Sequence, residues 1–192
     1  MQARCDACVM LALMCRHCRR RIDRFYEVDT APHNFEGQTF QDQEQPHLSK
    51  HQKSVCAVWG RPDQVMGPSF GVIKEISHVG IKQGHGLCSF VASLGVCAAW
   101  ERRFGRTLIS RNIFPQRGGV PILSQSGKYA VKMYLNGSVR GITIDDHLPV
   151  TRDKEETRLL CSHTSAGDEL WVRCRHPPSF KENHMYVCHQ RT

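Results

Sequence analysis

Cys88-Ser-Phe-Val-Ala-Ser-Leu-Gly-Val-Cys-Ala-Ala-Trp-Glu-Arg-Arg-Phe104 is the stretch on which the reading of the whole chain turns. Its apolar residues at 91, 94 and 98 share one face at helical spacing, Ser93, Glu101 and Arg102 fall elsewhere, and Gly105 supplies a stop signal. The spacing predicts a helix over 88–104, with Cys97 in its core face. Immediately before it, Gln83-Gly84-His85-Gly86 is a flexible run that lets backbone approach a ligand closely. Cys88 then stands at the helix N-terminus, where free amides and the partial positive charge favour a thiolate, the form of cysteine that attacks electrophiles. The pattern alone favours the plainer reading, a small buried hydrophobe at the start of an apolar helix.

Downstream of that helix, Lys128–Leu135 (KYAVKMYL) and Ser138–Ile144 (SVRGITI) are rich in β-forming residues and are joined by Asn136-Gly137, a strong two-residue hairpin signal. An antiparallel hairpin is expected. Asp145-Asp146-His147-Leu148-Pro149 should end its second strand, because adjacent carboxylates disfavour the ladder and Pro149 has no amide to donate. As a pair of carboxylates, Asp145 and Asp146 invite a metal reading, against which stands a solvated turn at a strand end.

Upstream, Lys53–Gly60 (KSVCAVWG) begins the compact region, and Arg61-Pro62-Asp63 and Gly67-Pro68 punctuate the approach to Phe70 and Ile73. Residues 29–52 are polar, with Pro32, Gly37, Pro46 and a cluster of glutamines, which is the composition of a linker. Residues 1–28 are basic and cysteine-rich, with a helix expected over 7–28. Its Cys5, Cys8, Cys15 and Cys18 form two CxxC units, the usual grammar of a zinc site. Their spacing places them along one side of a helix, however, where four ligands cannot readily surround a tetrahedral ion.

The 192 residues fit one domain with appendages, and composition excludes wholesale disorder, with 40% hydrophobic and 23% charged residues. The net charge of +8 is spread along the chain, and no aromatic stacking pattern accompanies the arginines between 16 and 24, so no nucleic-acid partner is expected. Ten cysteines are too few for a disulfide scaffold of this length. The six-residue run Val9–Met14 is too short to span a bilayer and lacks a signal-peptide flank, so no transmembrane segment and an intracellular location are expected.

The wording of several segments carries a further reading. CSFVASL (88–94), AAWERRF (98–104), IFPQ (113–116), GKYAVKMYLNG (127–137), ITIDDHLPV (142–150), LLCSH (159–163) and ELWV (169–172) resemble, in order and spacing, the papain-like core of the calpain family of cysteine peptidases. They are most similar to its atypical PalB-type branch, and the resemblance runs over residues 53–172. It implies an α+β fold: the first subdomain of the calpain catalytic core, with a central nucleophile helix and a short antiparallel sheet. It implies that Cys88 is the nucleophile of an endopeptidase acting on protein substrates, and that Gln83 is the oxyanion-hole glutamine. Gln83 lies five residues before Cys88, one fewer than the family spacing, and Leu87 stands where the family usually has Asp.

The family's catalytic His and Asn lie roughly 130 to 150 residues or more beyond the cysteine, farther than any histidine of this chain. His147, His163, His176, His184 and His189 are therefore not assigned as the base, and the chain reads as a truncated, weakly active or inactive catalytic domain. Residues 173–192, with Pro177-Pro178, depart from the family text and form a divergent tail. No cofactor is evident. Calcium and endosomal-sorting partners enter by resemblance only; Ser77-His78-Val79-Gly80 offers no carboxylate to a hard cation, and no EF-hand loop occurs. Two alternatives from other classes stand beside the peptidase reading: a non-catalytic interaction fragment derived from a calpain, and a zinc-dependent nucleic-acid binder resting on residues 5–24.

Overall fold

The computed structural model describes residues 30–42, 54, 57–84, 88–135, 138–151 and 158–172. The expected basic helix with its four cysteines, the Asn136-Gly137 turn itself and the tail from 173 onward lie outside the described residues.

The long helix, α2, spans Cys88–Phe104, as its apolar spacing predicts; the shorter α1 spans Pro62–Met66. Leu94, Cys97 and Ala98 are buried on the inner face of α2. The helix stops where Gly105 takes φ +60° and donates its N–H to the Glu101 carbonyl at 2.9 Å, a conformation that costs a residue with a Cβ. Glu101, expected on the polar side, is instead only 7% exposed. The chain doubles back after Gly105 and turns a row of amides toward it. The Glu101 carboxylate accepts N–H groups from Leu108 (2.8 Å), Ile109 (2.6 Å) and Ser110 (3.4 Å) and the Ser110 hydroxyl (2.6 Å).

Strands β6 (Lys128–Leu135) and β7 (Ser138–Asp145) pair antiparallel from Lys128↔Asp145 to Leu135↔Ser138, a register that leaves two residues for the turn, as the hairpin signal requires. A short strand β3 (Ile113–Phe114) joins the outer side of β6, with Ile113 opposite Val131. Other pairs are small. β1 (Ala57–Gly60) runs antiparallel to β8 (Leu148–Thr151), β2 (Ile81–Lys82) to β9 (His163–Thr164), and β4 (Gln116–Arg117) to β5 (Val120–Pro121). The second hairpin strand ends at Asp145 as expected, yet Pro149 falls inside β8, opposite Trp59. Proline is tolerated there because its carbonyl still serves the structure, accepting the Leu160 N–H at 2.9 Å. The result, among the described residues, is a long and a short helix set among small antiparallel sheets, an α+β arrangement.

Leu94, Cys97 and Ala98 of α2 meet Tyr129, Val131, Ile142 and Ile144 of the hairpin in a single apolar cluster. Leu170, Trp171 and Val172 close it; Trp171 and Val172 are 0% exposed. Their segment is stitched to residues 71–72: Gly71 donates to the Asp168 carbonyl, and Trp171 donates to that of Val72, at 2.9 and 3.0 Å.

Residues 30–42 fall within the stretch whose composition suggests a linker, yet they lie against the fold. Phe35 is 2% exposed, its carbonyl accepts the Ser126 N–H and both the Ser124 and Ser126 hydroxyls, and the Phe40 N–H reaches the Ser126 carbonyl at 2.8 Å. A single aromatic anchor with backbone hydrogen bonds is enough to dock a segment that average polarity assigns to solvent.

Candidate active site

The chain reaches α2 along β2. Ile81 and Lys82 pair with Thr164 and His163, so Gln83, directly after β2, emerges beside the segment that carries β9. One residue later the contact becomes intimate. The Gly84 N–H donates to the Ser162 hydroxyl at 3.3 Å, and a Cβ at Gly84 would stand 2.3 Å from the Cys161 carbonyl carbon and 2.5 Å from the Leu160 oxygen. Only glycine permits that approach. Ser162 is itself buried, at 2% exposure, while Gln83 is exposed. Residues 85–87 lie outside the described residues, and Cys88 follows as the first residue of α2. The two expected site residues are thus placed on either side of a short connection: Cys88 at the positive end of α2, Gln83 at the end of a strand clamped to β9.

His163 turns its Nδ1 to the Cys161 carbonyl at 3.1 Å; because a carbonyl only accepts, Nδ1–H is the donor in this contact. His147 is engaged elsewhere, with Nδ1 2.8 Å from Asp145 Oδ2. His176, His184 and His189 lie outside the described residues.

Asp145 and Asp146, the pair that invites a metal, belong to a polar knot. Asp146 meets the Arg61 guanidinium at 2.6 Å, the same guanidinium donates to the Phe40 carbonyl at 2.9 Å, and Asp145 accepts the Asp42 N–H at 3.1 Å as well as His147. Gly127, at φ +73°, leaves the room this needs, since a Cβ there would come within 2.3 Å of Arg61 Nη1. Burial raises the Asp146 carboxyl above its ordinary value of 3.8, with Arg61 and then His147 opposing the rise and Asp145 adding to it. These carboxylates are committed to cationic and N–H partners and do not fit a calcium ion, which needs six or more oxygens free to turn toward it. Among the described residues no three His, Cys, Asp or Glu side chains gather as a metal site. The cysteines expected for zinc, Cys5, Cys8, Cys15 and Cys18, lie outside them.

Sequence reasoning missed Ser162, Gly84 as a packing contact, and the Arg61–Asp146 pair. Each joins residues far apart in the chain, and apart from the glycine itself no local pattern announces them.

The described residues thus place a cysteine at the start of a helix with a buried inner face, a clamped Gln-Gly before it, and an α+β core around them. The sequence profile of the calpain family cysteine proteases matches residues 35–186, and the chain belongs to that family. It is 44% identical to calpain-7 of Mus musculus over 127 residues, 65% of this chain and 15% of that protein, and equally identical to calpain-7 of Homo sapiens over the same shares. The calpain-like protease palB/cpr-8 of Neurospora crassa is 41% identical over 121 residues, 57% of this chain and 13% of that protein. The chain therefore spans about 15% of the length of the calpain-7 relatives it matches. Among the described residues no helix is long and apolar enough to cross a membrane.

Proposed function

We propose that this chain carries the nucleophile-bearing subdomain of a papain-like, calpain-type cysteine endopeptidase acting on protein substrates. The observation that carries the reading is the placement of Cys88 as the first residue of α2, directly beyond the clamped Gln83-Gly84, inside the region matched to the family. In the reaction the Cys88 thiolate attacks the scissile carbonyl carbon; a C–S bond forms and the carbonyl oxygen gains negative charge. Collapse of that intermediate breaks the C–N bond, the amine leaves with a proton, and water hydrolyses the thioester. Gln83 donates its side-chain N–H to the developing oxyanion beside the Cys88 amide, a contribution of about 3 kcal/mol for a well-placed donor. No histidine of this chain is assigned as the base, so the base and its orienting amide come from sequence outside these residues, and turnover by the 192 residues alone is weak or nil. The mechanism asks for no metal.

The experiment is labelling of the purified chain with an electrophilic peptidyl probe at neutral pH, with peptide mapping and a parallel Cys88→Ala sample. Labelling of Cys88 well ahead of the other cysteines supports an activated nucleophile. Labelling no faster than theirs rejects it and favours the second reading, a non-catalytic interaction fragment whose partners would include endosomal-sorting proteins. That reading has one observation of its own: Val96, Trp100 and Phe104 stand exposed along the outer face of α2.

A further inference from the structure

We propose that Ser162 is a positioning residue for the oxyanion donor: it holds Gln83 through the Gly84 amide. The proposal rests on the reading of Gln83 given above and goes beyond it. Three contacts converge on the two residues Gln83-Gly84. The β2–β9 ladder fixes the backbone up to Lys82, opposite His163. The buried Ser162 hydroxyl accepts the Gly84 N–H at 3.3 Å. The Gly84 Cα lies flat on the Leu160–Cys161 backbone, where no side chain fits. On the far side of this seat, Cys161 is in the core and Leu160 is tied to β8 by its N–H on the Pro149 carbonyl. Gln83 is therefore referenced to the hairpin side of the core through residues 160–164.

Removing the Ser162 hydroxyl leaves the Gly84 amide without its acceptor next to a buried segment, and the cheapest relief is a shift of Gly84 toward water that carries Gln83 with it. The effect is specific to chemistry that builds an oxyanion. Addition of the Cys88 thiol to a peptide aldehyde forms a C–S bond and converts the carbonyl to an alkoxide that takes the thiol's proton, giving a thiohemiacetal whose oxygen sits where Gln83 donates. Alkylation by iodoacetamide displaces iodide at saturated carbon and builds no oxyanion. Both are measured on the intact chain, the first by the carbonyl signal of a carbon-13-labelled peptide aldehyde, the second by the rate of modification at Cys88.

Ser162→Ala and Gln83→Ala should each weaken the thiohemiacetal by about tenfold or more, while changing the iodoacetamide rate by less than about twofold; the double variant should be no weaker than Gln83→Ala alone. Ser162→Thr, which keeps the hydroxyl, should restore binding. In the unaltered protein the Gly84 amide should exchange slowly with solvent, a reading that does not depend on any variant folding. Rapid exchange at Gly84, or wild-type affinity in Ser162→Ala beside a weakened Gln83→Ala, overturns the role of Ser162 and leaves that of Gln83 standing. A neutral Gln83→Ala, or no thiohemiacetal on the wild type, overturns the underlying reading of the site and the proposal with it.

Discussion

Glu101 is a buried carboxylate that holds the chain's return from α2, and its worth is set by the donors it satisfies. Without it the amides of Leu108 and Ile109 and the Ser110 hydroxyl lose a charged acceptor in a partly buried turn. Glu101→Ala is expected to cost about 3 kcal/mol, the scale for losing charge-assisted hydrogen bonds and stranding their partners; urea unfolding measures it. Asp146 makes a prediction of opposite character. Burial raises its folded-state carboxyl above 3.8, so the folded protein holds that proton to higher pH than the unfolded chain does. Ionisation of Asp146 thus opposes folding: its contribution to stability grows as pH falls through the raised value, is complete below 3.8, and is lost as pH rises. Relative to Asp146→Asn, the wild type should gain stability as pH is lowered through that window. Paired urea titrations over a pH series check the sign, and a difference that grows with rising pH would contradict it.

At the scale of elements, the segment 30–42 shows how one residue outweighs a composition. Its polar average is that of a linker, but Phe35 is almost wholly buried and its carbonyl is bonded to Ser124 and Ser126. Phe35→Ala should remove about 3 to 5 kcal/mol, as aromatic truncations in cores do, and should release the segment; hydrogen exchange at the Phe40 and Ser126 amides, which donate to the Ser126 and Phe35 carbonyls, would then accelerate. Periodic elements were legible in advance for a physical reason. α2 was readable over its full length because burial imposes a 3.6-residue pattern on contiguous residues, and the β6–β7 register because a two-residue turn allows only one pairing. Phe35 on Ser126, Glu101 on Leu108 to Ser110, and Pro149 within β8 depend on where the chain returns, and no local period encodes that. The site divides in the same way. Cys88 and Gln83 could be named from wording and from the chemistry of a helix start, whereas the seat under Gly84 joins residues nearly eighty positions apart.

At the scale of the whole molecule, the distribution of apolar surface on α2 is the unusual property. A helix that packs one face on a core normally turns polar residues outward. Here the outer face carries Val96 at 63%, Trp100 at 37% and Phe104 at 56% exposure, spaced four residues apart, with the Trp100 and Phe104 rings 5.3 Å apart. Arg103, stacked over the Phe104 ring at 5.6 Å, shields only one end of this stripe. The same helix therefore has two apolar faces, and only the inner one is used by the hairpin. Contiguous exposed apolar surface of this kind is uncommon on a soluble monomer and binds hydrophobic dyes or other copies of the chain. The chain alone should enhance the fluorescence of anilinonaphthalene sulfonate in its native state and should sediment as a concentration-dependent mixture. Val96→Gln combined with Phe104→Gln should suppress both, yet change the urea midpoint little, because exposed side chains contribute only about 0.5 kcal/mol or less. If dye binding and self-association persist in that variant, the responsible surface lies elsewhere on the molecule. If the variant is also strongly destabilised, Val96 and Phe104 are covered in solution, and α2 has a neighbour on its outer face as well as its inner one.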